Sequence, residues 1–147
     1  MIKSKIFRDQ KSISHYFFNR LGGTSKGIYK SLNCGKGSKD KIANISRNLK
    51  IVSRKIGCTS GNLVSLNQIH SNKVLKINNV PKKRLTGDAM ITNKQNIAIS
   101  ILTADCAPIL IIEKKQKFVG AIHAGWKGAF KGIVTVSYTH LRAHETR

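Results

Sequence analysis

Two histidines and one cysteine stand where apolar runs give way to short polar islands. The islands read Asn67-Gln68-Ile69-His70, Thr103-Ala104-Asp105-Cys106 and His123-Ala124-Gly125-Trp126-Lys127-Gly128. Imidazole and thiolate are preferred ligands of Zn²⁺, and three protein ligands leave a fourth position open, as catalytic zinc requires. His70, Cys106 and His123 are therefore a candidate metal set. Their wide spacing is no local metal motif, so convergence must come from the fold. The competing reading is an inert cysteine beside two hydrogen-bonded histidines.

Other residues could support chemistry at the same place. Asp105, beside Cys106, could orient a ligating histidine or act as a general base; it could equally be a turn residue satisfying backbone N–H groups. Asp88, after Gly87, reads as a turn residue. Trp126 reads as a core anchor rather than a stacking surface. Gly125 to Gly128 follows a strand and opens a helix, where free N–H groups favour anions, and Lys127 adds charge. Arg20-Leu21-Gly22-Gly23-Thr24-Ser25 offers a guanidinium, a flexible glycine pair and two hydroxyls, or simply a tight surface turn.

The elements that must place these residues are short. Lys11 to Phe18 is aromatic and partly alternating, which predicts a strand. A glycine-rich loop covers Asn19 to Gly37. Asp40 is a candidate N-cap; Ile42, Ile45, Leu49, Val52 and Ile56 then recur at helical spacing, and Gly57 closes the helix. Leu63 to Leu66 and Lys73 to Ile77 read as strands, and Gly87 to Thr92 as a turn and strand. Ile97 to Leu102 reads as a buried strand. Ile109 to Ile112 and Phe118 to His123 flank a polar hairpin connection, and a helical pattern runs from Ala124 towards Val134. This order predicts an α/β (α+β) layered sandwich.

Composition narrows the class. The 147 residues carry 27 Lys and Arg against 6 Asp and Glu, a formal charge of +21. Such a balance suits an anionic partner. The cations are mostly lysines spread from Lys3 to Lys131, and with the abundant Ile and Asn they match the output of AT-rich coding. No aromatic-interleaved basic stripe is visible, so no nucleic-acid partner is expected. Cys34, Cys58 and Cys106 have no CxxC spacing and an odd count, against a disulfide framework. The start is too polar for a signal peptide, and no apolar run reaches the ~18 residues of a membrane span. A reducing cytoplasm is expected.

Residue usage changes abruptly at Val136 to Arg147. That run resembles a translated sequencing-library adapter, so 136–147 is set aside as non-native and 1–135 taken as the N-terminal part of a single domain. His140 and His144, at i and i+4, are discounted as ligands for the same reason.

Arg20 to Ser25, Ser31-Leu32-Asn33, the island ending in His70, Gly87-Asp88-Ala89, Thr103 to Pro108 and His123 to Gly128 together resemble the laccase-domain, or multicopper polyphenol oxidase, family. Its members are described as purine nucleoside phosphorylases that also act on adenosine and methylthioadenosine. The resemblance implies a layered α/β sandwich with a mixed sheet, of which this chain holds the N-terminal portion. It implies zinc, with copper as the alternative, on His70, Cys106 and His123, and purine nucleosides and phosphate as substrates. It leaves Asp105, Cys106 and Arg20 as candidate catalytic residues, with Arg20 and Lys127 as phosphate contacts. Family members usually carry an Asn-Arg pair in the first helix, where this chain has Asn48 and Leu49. Two other classes stay open: a Cys–His hydrolase or deamidase with Cys106 as nucleophile and His123 as base, and a basic nucleic-acid-binding protein.

Overall fold

The computed structural model describes residues 2–7, 10, 12–113, 115 and 117–143. They form two compact units, 1–60 and 61–147.

The first unit is built on helix α1, Ile42–Ile56. The predicted apolar stripe is only partly its buried face: Ile45 and Val52 are buried together with the polar Asn48 and Ser53, while Ile42 is exposed. Gly57 closes the helix at φ 82°, a left-handed conformation that glycine adopts without steric cost. Lys41, not Asp40, holds the N-cap position. The Asp40 carboxylate instead accepts from the Ser25 hydroxyl at 2.6 Å and the Asn33 amide at 3.1 Å. The strand expected over Lys11 to Phe18 does not form. Lys11 lies outside the described residues, and Phe17 makes one isolated antiparallel bridge, to Ile2. Without a partner strand the aromatic run pairs no further.

Among its described residues the second unit contains six strands. β1 (Leu63–Ser65) and β4 (Ala98–Ser100) form a parallel pair. β2 (Val74–Lys76), β3 (Ala89–Thr92), β6 (Val119–Ala124) and β5 (Ala107–Ile112) form a mixed sheet in the order β2-β3-β6-β5. β2 and β3 run parallel; β3 with β6, and β6 with β5, run antiparallel.

Alternation along β3 shows why the unit is layered, since successive side chains point to opposite faces. Met90 packs with Val64, Leu66 and Ile77, over Ile97, Ile99 and Ile101 from the β1–β4 side. Ala89 and Ile91 face the other way, against Ile133 and Leu141. The same alternation corrects the reading of Ile97 to Leu102. Its odd-numbered isoleucines face the core, and the strand is half-buried rather than buried on both faces.

The helical pattern after β6 becomes two helices, α2 (Trp126–Phe130) and α3 (Ile133–Arg142). Gly132, at φ 74°, breaks them apart. α3 runs on past Val136 and buries Ser137 and Leu141. Among the described residues, no helix is long and apolar enough to cross a membrane.

Candidate metal centre

Two of the three candidate ligands follow the parallel pair. β1 and β4 are in register, Ser65 opposite Ser100, so both chains leave the pair at the same end. One continues to His70 and the other to Cys106. The third, His123, lies on β6 opposite Pro108 of β5. It occupies the face opposite Ile122, which packs with Ile133 under α3.

The three side chains converge. One ligand atom from each of His70, Cys106 and His123 lies within 4.8 Å of the other two. Cys106 Sγ is 3.7 Å from His70 Nε2. Zinc bonds of about 2.3 Å to sulfur and 2.0 Å to nitrogen, at tetrahedral angles, would set that span at about 3.5 Å. The imidazoles sit edge to face, with centroids 4.8 Å apart. His70 is exposed, Cys106 half-buried and His123 buried, so the group opens to solvent on one side.

Backbone geometry holds the cluster together. A Cβ added at Gly125 would lie 2.4 Å from His70 Cδ2 and 3.3 Å from Cys106 Sγ. Only glycine leaves room there for the imidazole and the thiol. His70 itself has φ 59°, in the left-handed region. Histidine is tolerated there better than most residues, but the turn still needs support.

Asp88 supplies that support. Fully buried, it accepts from the backbone N–H of His70 at 2.9 Å and of Ser71 at 2.7 Å, from Ile69 N–H at 3.2 Å, and from the Ser71 hydroxyl at 2.7 Å. Its Oδ1 is also 2.9 Å from His123 Nδ1. An ionised carboxylate only accepts, so His123 donates from Nδ1, and in the neutral ring Nε2 is then the nitrogen free to bind a metal. Burial by itself would raise the Asp88 pKa; the hydrogen bonds from Ser71, His123 and the His70 and Ser71 backbone outweigh it and hold the carboxyl below its ordinary range.

This corrects the reading of Asp88 as a turn residue. It does organise a turn, but the same carboxylate orients an imidazole. Of the two roles weighed for Asp105, contact with a histidine belongs to Asp88. The Cys106 thiol instead donates to Asp105 Oδ1 at 3.7 Å. Burial, then the Asp105 carboxylate, then Asp88 push that thiol up from its ordinary pKa.

The remaining candidates make other contacts. Lys127 Nζ sits over the Trp126 ring, 5.3 Å from its centroid. Trp126 is 74% exposed and so is no core anchor. α2 is a single short turn, too short for the anion-binding helix start expected there. Arg20 belongs to the first unit, where its Nε and Nη2 donate to the Lys30 carbonyl at 2.8 and 2.5 Å. His144 lies outside the described residues.

Asn48 is a residue that the sequence undersells. Its carbonyl accepts from the Thr24 N–H and hydroxyl, at 2.8 and 3.1 Å. Its amide donates to Ser25 Oγ and to the Ser31 and Asn33 carbonyls, at 2.9, 3.1 and 2.8 Å. The glycine-rich loop is thereby tied to α1.

Comparison with known proteins gives the family. A family model described as multi-copper polyphenol oxidoreductase laccase matches residues 14–147, and the chain belongs to that family. A Bacteroides thetaiotaomicron protein named purine nucleoside phosphorylase is 35% identical over 132 residues, covering 84% of this chain and 49% of its own. Escherichia coli YfiH, also named purine nucleoside phosphorylase, is 33% identical over 128 residues, covering 84% and 51%. The crystal structure of a Neisseria meningitidis protein superposes with a TM-score of 0.76 at 33% identity, over 82% of this chain and 49% of that one. The chain thus spans about half the length of these relatives.

Proposed function

We propose that the full-length protein is a purine nucleoside phosphorylase whose metal, zinc, is held by His70, Cys106 and His123. The observation that carries this reading is the convergence of two imidazoles and one thiol within 4.8 Å. The names of the relatives supply the reaction class. The substrates would be adenosine, inosine, guanosine and methylthioadenosine. Phosphate would replace the base at C1′, breaking the N-glycosidic bond and leaving the pentose 1-phosphate. Water in place of phosphate, directed to the purine ring carbon that bears the amine, would deaminate adenosine.

Zinc in such a site polarises an oxygen nucleophile, phosphate or water. The chain's own residues do the rest. Cys106 would hold the metal as a thiolate, and Asp105, at 3.7 Å from its sulfur, is the nearby carboxylate that would take up the thiol proton or pass one to a departing base. Asp88 keeps His123 in the tautomer that leaves Nε2 bare. Lys127 and Arg20 are the candidate phosphate contacts, and loss of either should raise KM for phosphate. We read residues 1–135 as the N-terminal part of one domain and 136–147 as foreign to it; a genomic reading frame that departs from this sequence after Thr135 is the expected finding.

A Cys–His hydrolase has less support. The imidazole facing Sγ is His70, not His123, and the carboxylate beside the thiol opposes the thiolate that such an enzyme needs.

The test is Cys106→Ala in the full-length protein. Metal content by elemental analysis should fall from one zinc per chain to a small fraction, and hypoxanthine release from inosine and phosphate should fall at least about 100-fold. Undiminished zinc and turnover would remove the proposal, and copper in place of zinc would correct its metal.

A further inference from the structure

Two ligands of the cluster come from different strands, and one side chain connects them. Gln68 lies two positions before His70. Its Nε2 donates to the Leu102 carbonyl at 2.7 Å, and its Oε1 accepts from the Leu102 N–H at 2.8 Å. Both hydrogen-bonding groups of one peptide residue are thereby satisfied by one amide. The geometry imitates the paired bonds of a β-ladder just beyond the point where β1 and β4 end. Glutamine meets this demand because its side chain carries a donor and an acceptor on adjacent atoms.

Leu102 is where the chain leaves β4 for Cys106. Thr103, Ala104 and Asp105 are exposed, so packing does not hold this stretch. Its far end is fixed at Ala107, paired with Ala124 on β6. Its near end is fixed by Gln68. The distance between Cys106 Sγ and His70 Nε2 then depends on how firmly Leu102 is tied to the segment that carries His70.

We propose that Gln68 is a positioning residue for the metal centre: by clamping Leu102 it sets the Cys106 sulfur at bonding range of a cation held by His70 and His123. The proposal rests on the metal-site reading above. It assigns Gln68 no contact with substrate or metal. Its effect is transmitted along four residues of loop.

Cobalt(II) binding to the full-length protein tests it, because a cobalt-bound thiolate gives a near-ultraviolet charge-transfer band that histidine ligation does not. Gln68→Leu removes both bonds at similar size. It should cut the band by more than half and weaken cobalt affinity about 10- to 100-fold, the usual cost of removing a group that orients a ligand. Gln68→Glu keeps the acceptor for Leu102 N–H but sets an oxygen against the Leu102 carbonyl; the band should again fall by more than half. Ser100→Ala is the structural control, since it deletes the Ser100 hydroxyl bond to the Val64 carbonyl between the same two strands. It should leave the band intact. Should Gln68→Leu fail to fold, Gln68→Glu decides. A wild-type band that survives both Gln68 substitutions overturns the proposal, as does an equal loss in Ser100→Ala. A wild-type chain that binds cobalt without the band overturns the metal-site reading itself, and the proposal with it.

Discussion

Each unit of this molecule is organised by one fully buried polar side chain, and the two differ by a single atom type. Asn48 in the first unit both accepts and donates, because its neighbours are an N–H and a hydroxyl on one side and two carbonyls on the other. Asp88 in the second unit meets only donors: three backbone N–H groups, a hydroxyl and an imidazole. An amide fits the first setting and a carboxylate the second. Both tie down a loop. Only the carboxylate also carries charge, and only it reaches a candidate metal ligand. A buried polar residue thus becomes part of a reactive centre through the character of its partners, since burial is the same in both places.

Exchanging these properties breaks the comparison most directly. Asp88→Asn turns an acceptor into a donor facing donors. It should lower unfolding free energy by about 3 kcal/mol, as loss of a buried charged network does, and weaken zinc binding about 10- to 100-fold. Urea unfolding and a competitive zinc titration would show both. Retained zinc affinity would reduce Asp88 to a loop anchor of the Asn48 kind.

Asn48→Ala should cost about 2 kcal/mol, because it strands the Thr24 N–H and the Asn33 carbonyl. Zinc affinity should stay within about twofold; a larger drop would give the amide a part in the metal centre. Gly125→Ala should lower both. Its new Cβ would press on His70, costing about 1–2 kcal/mol in stability and at least about tenfold in zinc affinity.

Acid should separate the two anchors more gently. The Asp88 pKa is held down by its hydrogen bonds despite burial, and that of Asp40 by the Ser25, Asn33, Lys41 and Asn44 donors despite burial. A lowered carboxyl stabilises the fold above the unfolded value, about 3.9. That contribution is lost as pH falls through the lower folded value. Urea midpoints should therefore decline below about pH 4, and Asp88→Asn should flatten the decline more than Asp40→Asn. Asn48→Ala should leave its slope unchanged.

The sequence exposes the cluster but hides what holds it. His70, Cys106 and His123 are legible because uncommon residue types stand at the ends of apolar strands, and strand ends of parallel neighbours must meet. Most strand positions are legible for the same reason: the alternation in Ile97, Ile99 and Ile101 marks one packed face. Asp88 is not legible. A Gly-Asp pair before a strand signals a turn, and its partner His123 is remote in sequence. Asn48 is hidden similarly, since an asparagine on a helix looks like a weak point in an apolar stripe. The failed strand before Phe18 and the exposed Trp126 share another cause. Composition records what a segment could pack, whereas pairing depends on which surfaces arrive beside it. Gln68 stands out only once Leu102 is seen beside it.

The left-handed backbone of His70 has one more implication. Its conformation is supported by backbone N–H groups bound to the Asp88 carboxylate. The imidazole therefore waits in a prepared seat, and an arriving ion has little chain to rearrange. Loading should be governed by how quickly the ion sheds its hydration water and the thiol its proton, with almost no change in the protein's amide exchange.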